Sequence, residues 1–304
     1  MGAARAAIRG QRAGPTSRLL NSQSVSPTLS PSAAPALFFL PQPDGLRLCV
    51  HHAPASAAAP ARAAVVYVPP FGEEMNKSRR MAALQARALA QAGCAVLQID
   101  LKGCGDSSGD LGDVRWDDWL ADVQAAADWL TQHYPTAPLW LLGLRAGALL
   151  AAEAAQARAQ APQLLFWQPL LAGKTQVQQL LRLKAAAHLS DGAAAKAAMA
   201  QLRTALAAGE TVNVAGYPLP GALAQALEAA TLARPPAGSR LRWFELSTRP
   251  EATLMPASSQ WLAASQTAST DVQARVLSGP AFWQSTEIEE AQSLLGATVQ
   301  AVTA

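Results

Sequence analysis

Apolar residues along this chain gather into short runs that are separated by longer stretches of mixed character. Most runs are continuous rather than alternating, which is typical of strands buried between two layers of helices. Strand and helix in alternation predict a mostly parallel, doubly wound α/β sheet. The first two runs flank Pro43-Asp44-Gly45, which predicts an antiparallel hairpin at one edge. The eight runs are 37–40, 46–50, 64–68, 95–101, 139–142, 164–167, 241–246 and 272–277.

Helices are predicted between the runs. A helix over 78–91 has Ser78 as its N-cap and Gly93 as its stop signal. The stretch 116–130 is amphipathic, with its tryptophans on the apolar stripe and its aspartates, Asp122 among them, largely off that stripe. At this spacing, the tryptophans indicate packing rather than an aromatic binding site.

The alternation of strand and helix is interrupted between residues 173 and 238. Two Ala-rich helices are predicted there, over 176–187 and 193–208, with Ser190-Asp191-Gly192 between them. An insertion at this point predicts a helical lid over the carboxyl edge of the sheet. We therefore expect one α/β domain over 36–304, preceded by a disordered leader over 1–35.

Composition and charge narrow the class of protein. The chain has 304 residues, of which 50% are hydrophobic and 15% charged, so it can bury a full core. Its formal net charge of +3 comes from four arginines in the leader, because the remainder after residue 43 has 20 basic and 21 acidic side chains. A basic footprint for nucleic acid is absent, so we expect no nucleic-acid partner.

The leader and the cysteines bear on location. The leader has no apolar core of the kind a secretory signal carries, and its lack of acids resembles an organelle transit peptide. We favour a disordered extension or a misplaced start codon. No run approaches the roughly 18 apolar residues of a membrane span. Cys49, Cys94 and Cys104 are too few for a disulfide framework and suit a reducing cytoplasm, where we place the protein.

The segment Gly143-Leu144-Arg145-Ala146-Gly147 joins an apolar run to a helical stretch. Glycines at both ends of a sharp strand-to-helix turn are the pattern of a nucleophile elbow, whose central residue has a strained backbone. A serine, cysteine or aspartate at the centre attacks a carbonyl. Arg145 cannot, because a guanidinium stays protonated and offers no lone pair. The sequence predicts an elbow without its nucleophile.

Three segments carry a resemblance to a known family. They are PPFGEEMNKSRRMAALQARALA (69–90), IDLKGCGDSSGD (99–110) and LWLLGLRAGALLA (139–151). The chain resembles the exosortase A system-associated hydrolase 2 family, closely over 64–168 and only in pattern in the C-terminal third. The resemblance implies the α/β-hydrolase fold and a bacterial setting among exopolysaccharide and protein-sorting loci. It implies no substrate.

The catalytic triad of this fold is not recognisable in the sequence. Its order along the chain is nucleophile, acid, histidine. The acid normally lies four residues before a Val-Pro-like pair, and with Met255-Pro256 as that pair the position falls on Ala252, beside Glu251. The histidine normally follows a glycine after the last strand, but Gly279 is followed by Pro280. Glu251 is therefore the remaining candidate for the acid.

Two further groups are candidates for unconventional catalysis. His188 lies in the predicted lid and can reach the pocket, whereas His51, His52 and His133 are interpreted as structural. Cys104 lies in a glycine-rich loop, where Lys102 would lower its thiol pKa if it pointed inwards. The alternative is that Cys104 is simply a small residue in a turn. The loop lacks the ending of a P-loop, so no nucleotide is expected, and the sequence indicates no cofactor or metal.

The oxyanion loop is better preserved than the triad. The amides of Phe71, in the loop that Gly72 ends, and of Ala146 are placed to converge with the positive end of the helix after the elbow. Together with Arg145 they predict a site for a carboxylate or phosphate. In the alternative, Glu73 or Glu74 neutralises Arg145 internally.

Two functions follow from these patterns. The first is a non-catalytic α/β-hydrolase-fold protein that binds an anionic small molecule or a component of the exopolysaccharide and sorting machinery. The second is a residual ester or thioester hydrolase that uses Cys104, His188 or Glu251. We favour the first, because no triad position carries a recognisable group.

Overall fold

Strands form where the apolar runs predict them. The structure, a computed structural model, describes residues 34–56, 58–186, 192–267 and 269–304. The strands are β1 (Ala36–Gln42), β2 (Gly45–His52), β3 (Ala64–Val68), β4 (Ala95–Ile99), β5 (Leu139–Leu144), β6 (Gln163–Trp167), β7 (Val212–Val214), β8 (Tyr217–Leu219), β9 (Arg240–Ser247) and β10 (Asp271–Ser278).

Eight of these strands form one sheet in the order β1-β2-β4-β3-β5-β6-β9-β10. The β1–β2 and β2–β4 pairs are antiparallel and the other pairs are parallel. The predicted hairpin is confirmed, with Gln42 opposite Gly45. This is the α/β-hydrolase arrangement, and because β3 to β6, β9 and β10 run in parallel, their carboxyl ends meet at one edge.

Helices of the described residues lie between the strands. They are α1 (Glu73–Gln91), α2 (Trp116–His133), α3 (Ala146–Gln156), α4 (Gly173–Ala186), α5 (Gly192–Ala207), α6 (Gly221–Ala229), α7 (Pro256–Ser265) and α8 (Gln292–Thr303). Apolar residues of both sheet faces are buried against them in two separate clusters.

The predicted start of α1 was wrong. The helix begins at Glu73, five residues before Ser78, and its N-cap is Gly72 with φ 63°. Two acids in the first turn, Glu73 and Glu74, stabilise this end through the helix dipole, so the helix begins here without a Ser or Thr cap. The Ser78 hydroxyl is inside the helix and donates to the Met75 carbonyl oxygen at 3.0 Å.

The amphipathic helix α2 has the predicted apolar stripe, but Asp122 is a correction. Its side chain is buried and accepts a hydrogen bond of 2.7 Å from Nε of Arg47, which is equally buried on β2. It also accepts a hydrogen bond of 2.7 Å from the Lys102 backbone N–H. Periodicity placed this aspartate off the stripe because it could not anticipate a partner from the distant hairpin.

The insertion between β6 and β9 contains more than the two predicted helices. It also holds the small antiparallel hairpin of β7 and β8 and the helix α6. Apolar residues of α4 and α6, such as Leu181 and Leu227, are buried in the main core. Its description as a lid stays a prediction, and the junction at 187–191 lies outside the described residues.

The leader lies largely outside the described part of the chain, so its predicted disorder stays a prediction. Residues Ser32–Ala304 cluster as one unit. In the described part of the chain, every helix is too short or too polar to span a bilayer.

Candidate active site

The turn between β5 and α3 has the geometry of a nucleophile elbow. Arg145 has φ 56° and ψ −120°, a strained conformation for a residue with a side chain. A Cβ atom at Gly143 would lie 2.5 Å from the Ala148 Cα atom. A Cβ atom at Gly147 would lie 2.3 Å from the Val68 carbonyl oxygen. Both glycines are therefore required by the close approach of neighbouring backbone.

The Arg145 side chain is held inside the protein rather than presented to a ligand. It is only 7% exposed. Its Nε atom donates to Oε1 of Glu74 on α1 at 3.2 Å, and its Nη2 atom donates to Oε1 of Gln179 on α4 at 2.8 Å. The guanidinium carbon lies 5.6 Å from the ring centroid of Trp283, within range of a cation–π interaction.

Glu74, and not Glu73, supplies the counter-charge. Burial raises the pKa of Glu74, although the guanidinium of Arg145 acts in the opposite direction. Glu73 instead forms an ion pair of 3.0 Å with Lys77, one turn along α1. The geometry is therefore that of the internal ion pair, the second of the two alternatives for Arg145.

Two members of this cluster were missed in the sequence. Gln179 lies on α4, in the segment that was expected only to cover the sheet. Trp283 lies four residues after Gly279, in the loop after β10 that normally supplies the histidine. The sequence holds only a weak signal, since Phe282 and Trp283 are the first large side chains after the vacant histidine position.

The polar cluster at the elbow is not fully satisfied. Among the described residues, three buried atoms around Arg145 have no hydrogen-bond partner, namely Glu74 Oε2, Gln176 Oε1 and Trp283 Nε1. Buried polar atoms are normally paired, so each of these lowers stability unless a water molecule or ligand binds it. Because Gln176 also interacts with the Glu74 carboxylate, the Trp283 N–H is the clearest spare group beside the neutralised arginine.

The predicted oxyanion loop runs close to the elbow, since a Cβ atom at Gly147 would lie 2.6 Å from the Pro69 carbonyl oxygen. Gly72 precedes α1, and the Phe71 ring packs 5.1 Å from that of Trp119. Ala146 is the first residue of α3. Phe71, Gly72 and Ala146 thus lie at the carboxyl ends of β3 and β5, two neighbouring strands, where the fold normally holds an oxyanion.

The structure contradicts the idea that Cys104 is a reactive thiol. The side chain is 4% exposed, and burial raises its pKa to about 12. Lys102 does not lower this pKa, because its Nζ atom pairs with Asp44 at 2.7 Å and Asp118 at 3.2 Å. The interpretation as a small residue in a turn fits this environment.

The position of Glu251 in the structure does not support a catalytic role for it. It is exposed, in a turn with φ 55° after β9. The buried carboxylate nearby is Glu245, which the sequence pattern did not single out. It accepts hydrogen bonds from Trp243 Nε1 at 3.0 Å and from the Met255 backbone N–H at 3.1 Å, so it holds the chain after β9 in place.

The histidines of the described residues have structural neighbours. His51 lies 2.9 Å from the Tyr134 hydroxyl, His52 lies 3.2 Å from Gln98 Oε1, and His133 stacks on Trp129. His188 lies outside the described residues. Within the described part of the chain, no group of ligating side chains is arranged to hold a metal ion.

The sheet order, the elbow and the oxyanion loop together define an α/β-hydrolase fold. The family model of the serine aminopeptidases of type S33 (Hydrolase_4) matches residues 59–213, half of the chain. The protein belongs to this family. No curated protein sequence matches the chain.

Solved structures of α/β hydrolases are similar to it over nearly their whole length. The serine hydrolase XC6422 of Xanthomonas campestris is 19% identical, with a TM-score of 0.53 over 89% of this chain and 94% of that one. A carboxyl esterase of Bacillus coagulans is 15% identical, with a TM-score of 0.60 over 88% of this chain and 98% of that one. The monoglyceride lipase of Saccharomyces cerevisiae is 12% identical, with a TM-score of 0.57 over 89% of this chain and 96% of that one. At these identities the likeness supports the fold alone.

Proposed function

We propose that this protein is a non-catalytic member of its hydrolase family with a binding or accessory role. The observation that carries the proposal is Arg145, a buried guanidinium at the nucleophile position that is already paired with Glu74. Such a group has no electron pair with which to attack a carbonyl.

The other triad positions support the same proposal. After β10, Pro280 stands where a histidine is sought and Trp283 packs beside Arg145. After β9, Glu251 is exposed. Without a base, even a serine at the elbow is a poor nucleophile near neutral pH.

The site retains features suited to binding. Spare polar atoms at Glu74, Gln176 and Trp283 can bind a small polar molecule. Arg145 makes an anionic molecule a second candidate, which would have to displace Glu74 or Gln179 from the guanidinium. The resemblance to the exosortase A system-associated hydrolase 2 family favours a role in the cytoplasm beside an exopolysaccharide or protein-sorting system.

An activity test addresses catalysis directly. Purified wild type, Arg145→Ala and Arg145→Ser are assayed on short p-nitrophenyl esters and thioesters and labelled with a fluorophosphonate probe. We expect no saturable turnover and no labelling in any of the three, because restoring a serine does not restore its base.

Two further variants keep the alternative open to test. Saturable turnover in wild type that is lost in Cys104→Ala or His188→Ala would establish the residual ester or thioester hydrolase and overturn the proposal. Turnover that is lost in Arg145→Ala would show that the arginine itself takes part in chemistry, with the same consequence.

The anion is tested by thermal unfolding in phosphate and acetate. If an external anion occupies the elbow, these ions raise the melting temperature of wild type but not of Arg145→Ala. If Arg145 instead stays paired with Glu74, these ions change the melting temperatures of wild type and Arg145→Ala equally. The binding partner is then a protein rather than a small anion.

A further inference from the structure

A second cavity lies away from the elbow, between α1 and the antiparallel side of the sheet. It has a volume of about 230 Å³. An engineered cavity of about 150 Å³ is enough to bind benzene, so this one can hold a compact organic molecule. Its walls come from β2, the ends of β3 and β4, and one face of α1. Arg145 and its partners do not line it.

One wall of the cavity is apolar and continues onto the protein surface. Leu48 and Val50 of β2 line the cavity. Their partners across the β1–β2 ladder are Phe39 and Leu37, which share the same face of the sheet. These two side chains are 51% and 66% exposed. The apolar wall therefore extends beyond the cavity, as a site for an apolar molecular body requires.

Two residues that line the cavity have buried polar atoms without a good hydrogen bond. His52 is 3% exposed, and its Nδ1 atom has no hydrogen-bond partner among the described residues. Tyr67 is 6% exposed, and its hydroxyl lies near the Ser78 side chain without a hydrogen bond of good geometry. Both residues line the cavity. Buried polar atoms are normally paired, so these two point to a polar occupant.

Charge is distributed unevenly along the cavity. Arg79 and Arg87 lie two turns apart on α1, about 12 Å at the helical rise, and both line the cavity. Arg79 is neutralised by Asp100, with 3.2 Å between Nη2 and Oδ2. Arg87 is exposed and has no ion-pair partner among the described residues. The end of the cavity near Arg87 is therefore the positive one.

Arg87 and His52 lie near the same end of the cavity, close enough for the charge of Arg87 to affect the imidazole. The charge of Arg87 contributes to lowering the pKa of His52, after the larger effect of burial, so the imidazole is neutral near pH 7. Its Nε2 atom contacts the Gln98 amide. With Gln98 Oε1 as the acceptor, Nε2 carries the proton and Nδ1 is an acceptor. Rotation of the Gln98 amide by 180° presents its NH₂ group to Nε2 and moves the ring proton to Nδ1, which can then donate to a carboxylate.

We propose that this cavity is a binding site for a small amphipathic monocarboxylate. Arg87 and His52 Nδ1–H hold the carboxylate, and the apolar body lies along Leu48 and Val50. Arg87 is the specificity-determining residue, because it is the cation of this site whose charge is not already compensated. The inference goes beyond the proposed function and does not depend on it, since the elbow and this cavity share no residue that either argument uses.

Octanoate is the probe, titrated into the full chain by calorimetry and in parallel by thermal unfolding. 1-Octanol and octylammonium have the same apolar body without the negative charge. We expect octanoate to bind wild type and octylammonium not to bind. Arg87→Ala should weaken octanoate binding at least about tenfold, the usual scale of a charge-assisted hydrogen bond.

The variants separate this site from others. Arg80→Ala removes an exposed arginine of the same helix that does not line the cavity, and it should leave binding unchanged. Ala83→Leu fills the cavity from α1 while keeping the charge of Arg87, and it should abolish binding. Arg145→Ala should bind octanoate as wild type does.

Three results would overturn the proposal. They are no heat or shift with millimolar octanoate in wild type, equal binding of octanoate and 1-octanol, and unchanged binding in Arg87→Ala. Loss of binding in Arg145→Ala alone would place the molecule at the elbow and also refute this site. Failure here leaves the non-catalytic role intact, because the ester and fluorophosphonate assays measure that role separately.

Discussion

Replacing Arg145 with alanine removes the counter-charge from a buried carboxylate. The strained turn itself is not altered, because alanine and arginine both carry a Cβ atom at φ 56°. The change therefore isolates the electrostatic role of the guanidinium and its contacts with Glu74, Gln179 and Trp283.

The magnitude follows from the distance and the burial. Unit charges 3.2 Å apart attract by about 5 kcal/mol at the effective dielectric constant of about 20 that suits protein sites. The desolvation of both groups offsets part of this attraction. Removal of one partner from a buried pair typically costs about 3 kcal/mol or somewhat more. For a domain of this size, that lowers the melting temperature by roughly 6–12 °C.

The pH dependence distinguishes the two partners. Burial already raises the pKa of Glu74, and loss of Arg145 raises it further. The folded variant then binds a proton more tightly than the unfolded chain, so the stability deficit shrinks as the pH falls. In Glu74→Gln the unpaired group is the guanidinium, which cannot lose its proton in this range. Its deficit should persist as the pH falls.

The assay is urea unfolding of wild type, Arg145→Ala and Glu74→Gln at several values between pH 5 and pH 8. Lys77→Ala is the matched control, since it removes the more exposed pair with Glu73 and should change stability by less than about 1 kcal/mol. A deficit below about 1 kcal/mol in Arg145→Ala, or the same pH response in both partner variants, would refute the buried ion pair.

Two further predictions concern backbone packing and cysteine chemistry. Gly147→Ala should destabilise the protein by about 2 kcal/mol or more, because its Cβ atom meets the carbonyl oxygens of Val68 and Pro69. Gly296→Ala, on the exposed side of α8, meets nothing and should stabilise the protein by about 0.5–1 kcal/mol. Equal effects in urea unfolding would contradict this interpretation of the elbow. Cys104 should resist iodoacetamide in the native protein and react in denaturant, because burial raises its pKa to about 12; rapid native alkylation detected by mass spectrometry would show an accessible thiolate.

Much of the fold follows from patterns that are local in the sequence. Continuous apolar runs marked the strands of the large sheet because a strand covered on both faces needs no polar alternation. Gly143 and Gly147 indicated the elbow for a similar reason, since close backbone approach excludes a Cβ atom. The start of α1 was missed because Gly72, a cap without a side-chain hydrogen bond, has a weak sequence signal.

Only the tertiary structure decided what surrounds Arg145. The sequence left Glu73, Glu74 and an external anion as alternatives, since adjacent residues on a helix point in different directions and only packing selects one of them. Gln179 and Trp283 come from elements far apart in the chain, so no local pattern links them to the elbow.

The same reasoning applies to Asp122 and to the cavity at Arg87. Periodicity describes one helix at a time, whereas Arg47 reaches Asp122 from a separate hairpin. Composition, the positions of the strands along the chain and the loss of a nucleophile were determined by the sequence itself, because each depends on residue identity or on nearest neighbours. Which charges are paired, which thiol is buried and which polar atoms lack partners depend on contacts between distant segments, and those exist only after the chain has folded.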